Sequence, residues 1–164
     1  MYFKLEHSLP ASIHHAWSTI MSEEFFAKSY AQSGIERTLL SSEDRDGKTY
    51  SVVRVKVLDP MPKVAAKVLG TTQLQWTQQQ VVDNATHTMH WKINIPNTKQ
   101  VSAQGTFRLL SSGAECKRVV DGDVNVKIPL VGRKAEEHVC AKLRESYEAS
   151  ARFTQDWLRN YPSE

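Results

Sequence analysis

The stretch Asp123–Val139, DVNVKIPLVGRKAEEHV, changes its period half-way along. Its first half places Val124, Val126 and Ile128 on one face, the alternation of a half-buried strand. From Gly132 onward the spacing is helical. Val139, Leu143, Tyr147, Ser150, Thr154, Trp157 and Tyr161 recur at steps of four and three, and Ala135, Cys140, Phe153 and Leu158 widen the stripe. About 30 residues of helix would reach roughly 45 Å. Pro129 removes a ladder donor and stops the strand. Gly132 is expected to supply the sharp change of direction.

Upstream, YFKLEHSL alternates with Phe3, Leu5 and His7 on one face, and Pro10 ends it. Two short helices follow, one after Ser12 and one after Ser22. Each serine is placed to accept from the free amides of a first turn. Glu23 and Glu24 suit the positive end of the second helix, and Gly34 suits its left-handed stop. From Ile35 the texture is β. Two runs meet at Asp44-Arg45-Asp46-Gly47, a hairpin signal. The segment Asp59–Gly70, DPMPKVAAKVLG, comes next; its two prolines break the sheet, and about two helical turns are expected after them. Three strands lie within residues 72–82, 86–95 and 101–110, and a longer seventh spans 114–128 with Gly122 as an expected bulge or bend. Runs of strands without βα alternation imply an α+β fold, a curved antiparallel sheet of about seven strands with its helices on one side.

The chain of 164 residues carries 40% hydrophobic and 24% charged residues and a net charge of +3, which suits one domain over residues 1–164. Its basic residues are scattered, so no nucleic-acid surface is expected. Neither an export leader nor a membrane-spanning apolar run is evident, so a cytoplasmic location without stable membrane insertion is expected. Cys116 and Cys140 are too few for a disulfide framework. The sequon Asn84-Ala85-Thr86 is expected to be idle.

The opening FKLEHSLPASIHHAWSTIMSEEFF, with its strand, P-A-S-x-x-x-x-W helix and second helix, resembles the helix-grip fold of the START-like (SRPBCC) superfamily. So do WKINIPNTKQVSAQGTFRLL and DGDVNVKIPLVGRKAEEHV near the end. The resemblance covers essentially the whole chain. VKIPLVGRKAE is similar to an uncharacterised bacterial branch, a domain of unknown function. The superfamily includes polyketide cyclases, plant pathogenesis-related class 10 proteins and lipid-transfer START domains. Many relatives carry Asp-Pro between the first two helices, where this chain has Ser22-Glu23. The resemblance implies a sheet wrapped around a long C-terminal helix, with an apolar ligand held between them. The strand–helix joint is then an architectural hinge that drops the helix across its own sheet.

Alternation turns a set of residues toward that space: Val55 on one strand, Trp76, Gln78 and Gln80 on the next, then Met89, Trp91, Phe107 and Arg118. Tyr30, Val139, Leu143 and Tyr147 could face it from the helices. Most of these suit a plain core, but the polar members are unexpected there. A buried, unpaired arginine is very unfavourable. Arg118 therefore meets an acidic partner, anchors an anionic ligand head, or leaves the core through a register slip at Gly122.

No histidine pair has metal-ligand spacing, and no G-x-S-x-G, Walker or dinucleotide motif is present, so neither a metal nor a cofactor is expected. Glu136 and Glu137 read as first-turn acids favoured by the helix dipole. His90, Tyr30, Tyr147 and Arg118 are the only acid–base candidates, and no catalytic set is assigned. The favoured function is binding of a small hydrophobic or amphipathic ligand such as a lipid, polyketide-like molecule or isoprenoid. The alternatives are a cyclase or dehydratase using one cavity acid–base residue, and a filled core with Trp17, Phe25 and Phe26 as a partner patch. Monomer and homodimer are both compatible.

Overall fold

The computed structural model describes residues 1–163, apart from the side chain of Val68. Strand β1 (Tyr2–Leu9) leads to helices α1 (Ile13–Ile20) and α2 (Glu23–Gln32), then to the hairpin β2 (Ile35–Arg45) and β3 (Lys48–Val57). After α3 (Lys63–Leu69) come β4 (Gln75–Asp83), β5 (Thr88–Asn94), β6 (Val101–Ser112) and β7 (Glu115–Val126), and the chain ends in α4 (Gly132–Asn160). The strands form one antiparallel sheet in the order β1-β7-β6-β5-β4-β3-β2. From β2 to β7 each strand pairs with the next in sequence, β3 and β4 across the connection that carries α3, whereas β1 joins β7 and leaves β2 at the opposite edge.

Local chemistry explains the elements. The Ser12 and Ser22 hydroxyls accept from the amides of His15 and Phe25 at 3.3 and 3.2 Å, the expected caps. Asp46 and Gly47 both adopt positive φ, 53° and 75°, as a two-residue hairpin turn requires. On β1, Phe3, Leu5 and Leu9 are buried while Lys4, Glu6 and Ser8 are exposed.

Helix α4 packs on β7 and β1, α1 on β6 and β7, and α2 on β2. The core gathers there: Phe3 stacks with Trp91 and with Tyr147 at 6.4 and 6.2 Å, and Phe25 meets Phe153 and Trp157 at 5.5 and 5.6 Å. Such ring pairs contribute about 0.5–1.5 kcal/mol each beyond their burial. Trp17 and Phe25 are buried in this core, so the expected patch of Trp17, Phe25 and Phe26 is not a surface.

Three expectations need correction. Gly122 forms no bulge: β7 runs in unbroken register against both β1 and β6, and the shift in the sheet falls between Leu39 and Ser41 of β2. At the strand–helix joint, Leu130 and not Gly132 takes the left-handed conformation, with φ 68°. Gly132 is needed for space, because a Cβ there would collide with the Val126 carbonyl oxygen. Glu136 is not a first-turn acid. Its Oε1 accepts from the Val126 amide at 2.9 Å, and its Oε2 lies 3.7 Å from the Met1 amino group, tying the start of α4 to the end of β7.

Gly105 and Gly122 face each other across β6 and β7, and the Trp91 ring lies over the pair. A Cβ at Gly105 would strike the Asp121 carbonyl oxygen and come within 2.7 Å of the Trp91 ring. Backbone cannot yield as a flexible side chain does. Gly105→Ala should therefore lower stability by about 2–3 kcal/mol in urea unfolding. An unchanged midpoint would show that the sheet absorbs the methyl freely.

Candidate functional site

Arg118 points inward. Its neighbours across the ladder are His7 on β1 and Leu109 on β6, and it is only 2% exposed. The guanidinium donates from Nη1 to Ser150 Oγ at 3.2 Å and from Nη2 to the Tyr147 carbonyl at 2.7 Å. Nη2 also lies 3.2 Å from His7 Nδ1. Because the arginine can only donate, Nδ1 accepts and the neutral ring carries its hydrogen on Nε2. His7 Nε2 stands 3.0 Å from Glu148 Oε1, and that contact holds the Glu148 carboxyl below its ordinary pKa. Among the described residues no carboxylate touches Arg118 directly. Burial lowers its pKa to about 10, which leaves it charged at neutral pH.

A second arginine enters the same face from the far edge. Arg37 on β2 is opposite inward-facing Val55, and its side chain is 6% exposed. It stacks over the Phe26 ring at 4.4 Å and reaches Glu23 Oε2 at 3.0 Å. Sequence reading missed it, although Ile35, Arg37 and Leu39 share one phase of β2, a signal that alternation offers. Tyr30, one turn beyond Phe26 on α2, has its phenol pKa raised by burial, with Arg37 pulling weakly the other way.

Between these arginines, the register aligns Val55 with Trp76, Val53 with Gln78 and Ile93, and Ser51 with Gln80 and Trp91. Directly opposed residues share a sheet face. Met89 and Phe107 are likewise opposed, and both are buried. Val139, Leu143 and Tyr147 on α4 are half-buried against the core, and burial raises the Tyr147 pKa. The structure thus places every strand residue of the expected set on the concave face. His90 is different: it is exposed on the outer face and is removed from the acid–base candidates.

Gln80 is 3% exposed, and its Oε1 accepts from the Ser51 hydroxyl at 3.3 Å. Its Nε2 has no acceptor. Neither do the indole nitrogens of Trp76 and Trp91, nor Nε of Arg37 and Arg118. Both cysteines are buried, and desolvation pushes the Cys116 thiol up to about 11, so neither offers a ready thiolate. Among the described residues no group of three side chains has metal-binding geometry. Two surface depressions, of about 470 Å³ beside Val126–Arg133 and about 400 Å³ between Gln79, His90 and Gln104, lie away from the concave face.

A family model described as "Protein of unknown function (DUF2505)" matches residues 4–158. The chain belongs to the DUF2505 family. No curated protein sequence matches it. Among solved structures, TTHA0849 of Thermus thermophilus aligns at TM-score 0.71 and 14% identity, covering 99% of this chain and 100% of that one. The Zhui aromatase/cyclase of a Streptomyces species aligns at TM-score 0.71 and 17% identity, over 97% and 93%. A START superfamily protein of Mycobacterium smegmatis aligns at TM-score 0.65 and 14% identity, over 96% and 98%. At these identities the likeness is one of fold, and the DUF2505 chain has the START-like helix-grip fold. Among its described residues no helix is long and apolar enough to cross a membrane.

Removing Arg118 would strand the Tyr147 carbonyl, Ser150 and His7 together. Arg118→Ala should lower stability by about 3–5 kcal/mol in chemical denaturation, since each buried acceptor left unpaired costs about 1–3 kcal/mol. Arg118→Met, which refills the apolar volume, should recover part of that loss. A wild-type midpoint for Arg118→Ala would contradict its role in holding α4.

Proposed function

We propose that the DUF2505 chain binds a small hydrophobic or amphipathic molecule between the concave face of its sheet and α4. The observation that carries this reading is the set of buried donors without acceptors, the indole nitrogens of Trp76 and Trp91 and the amide of Gln80. Buried polar groups are nearly always paired, and each unmade bond costs about 1–3 kcal/mol. Three neighbouring donors on one face call for a molecule that brings acceptors to them.

Two further facts support the reading. Tyr30 and Tyr147 are half-buried, yet each lies deep enough for desolvation to raise its phenol pKa. Val53 and Val55 are fully buried but stand outside the contiguous hydrophobic cluster. The walls are therefore apolar with a few polar groups, the usual make-up of a ligand site. Binding is favoured over cyclase-type proton transfer. Burial moves Tyr30 and Tyr147 upward and lowers Arg118 only to about 10, so none of these three is poised near neutral pH for acid–base work.

Native mass spectrometry of the purified protein tests this, followed by denaturation and by incubation with a total lipid extract. The expected result is a near-stoichiometric mass excess that leaves on denaturation. A bare protein mass before and after exposure to the extract would overturn the reading.

A further inference from the structure

The buried side-chain nitrogens that lack a hydrogen-bond partner share a chemical sign. Arg37 Nε, Trp76 Nε1, Gln80 Nε2, Trp91 Nε1 and Arg118 Nε are all donors, as is His7 Nε2, which stands 3.0 Å from Glu148 Oε1, and no buried side-chain oxygen among the described residues is left without a partner. A site shaped for a neutral polar molecule would mix donors with acceptors. This one is donor-rich throughout.

The charge has the same bias. Arg37 on the edge strand β2 and Arg118 on β7, one strand in from the other edge, face the space with side chains almost fully buried. The carboxylates near them stand at the rim: Glu23, 67% exposed, meets Arg37, and Glu148, 49% exposed, reaches Arg118 only through His7. The strand positions between them, from Val53 and Val55 through Gln78 and Gln80 to Trp91, carry no acid. Glu23 offsets part of the Arg37 charge from the exposed rim, and no described carboxylate meets Arg118 directly, so a net positive field remains in a poorly solvated interior where low polarity strengthens it.

We propose that the bound molecule is an anionic amphiphile, a carboxylate on an apolar body, held in the field of Arg37 and Arg118. Its oxygens accept from the donors around Trp76, Gln80 and Trp91. This rests on the binding reading above and adds the charge of the ligand and a residue, Arg37, that selects it. The apolar body lies along Val53, Val55 and Met89. A fatty acid and a fused-ring aromatic acid share this chemistry.

Two matched pairs separate charge from shape: decanoate against 1-decanol, and 2-naphthoate against 2-acetylnaphthalene. Each is titrated at neutral pH into the full chain and into Arg37→Gln and Trp76→Phe, with dissociation constants read by calorimetry and folding checked by thermal midpoint. In at least one pair the anion should bind at least tenfold more tightly than its neutral partner, and the favoured pair tells the aliphatic source from the aromatic one. Arg37→Gln should shrink that preference to threefold or less. Trp76→Phe, a smaller perturbation of the fold, should weaken the anion several-fold and the neutral compound by less, because the bond to a charged acceptor is the stronger one. Equal binding of anion and neutral partner would overturn the inference while leaving the binding reading intact. A preference unaltered in both variants would overturn the assigned donors. Failure of all four compounds to bind would overturn the binding reading itself.

Discussion

The arrangement depends on one buried guanidinium. Arg118 rises from β7 beneath the middle of α4 and holds a helix carbonyl, a helix hydroxyl and an imidazole on the neighbouring strand. Burying a charge is unfavourable unless it is paired and hydrogen-bonded. Here neutral acceptors do most of that work, and the nearest acid acts through His7. The clamp fixes α4 over β1 and β7, one edge of a seven-stranded sheet. Everything on the concave face is then defined by its distance from that clamp.

Near the clamp the interior is an ordinary aromatic and aliphatic core, in which Phe3, Trp91 and Tyr147 stack and the glycine pair Gly105–Gly122 makes room for the Trp91 ring. Toward β2 its character changes. Fully buried valines alternate with Gln78, Gln80 and Ser51, and Arg37 enters from the edge strand. The family match places the chain in a family of unknown function, and a fold by itself does not fix what its interior carries. In this interior the buried side-chain atoms left without partners are donors.

Much of the scaffold was legible because it rests on local patterns. Strand alternation, the Asp46-Gly47 turn, the serine caps and the stripe of α4 each need only a few neighbouring residues to be read. The misreadings arose where packing at a distance decides. Gly122 looks like a bulge in isolation, but the Trp91 ring and the partner glycine explain it. Gly132 looks like the turning residue, but the Val126 carbonyl requires its small size and Leu130 does the turning. Alternation placed Arg118 correctly on an inward phase. Its partners could not be read, since His7 precedes it by 111 positions and Ser150 follows it by 32. Arg37 was legible and was overlooked because β2 was not phased.

The central claim is that the unpartnered donors of the concave face meet a bound molecule. Indole N–H resonances of the ¹⁵N-labelled protein report on it directly, because the four tryptophans differ in partner. Trp17 Nε1 already donates to Asn84 Oδ1 at 2.8 Å, whereas Trp76 and Trp91 have no acceptor. On titration with decanoate and, separately, with 2-naphthoate, at least one of the two anions should move the Trp76 and Trp91 signals together and saturably while Trp17 stays in place. Signals from Trp76 and Trp91 that remain fixed with both anions, or that move no more than Trp17, would contradict the account.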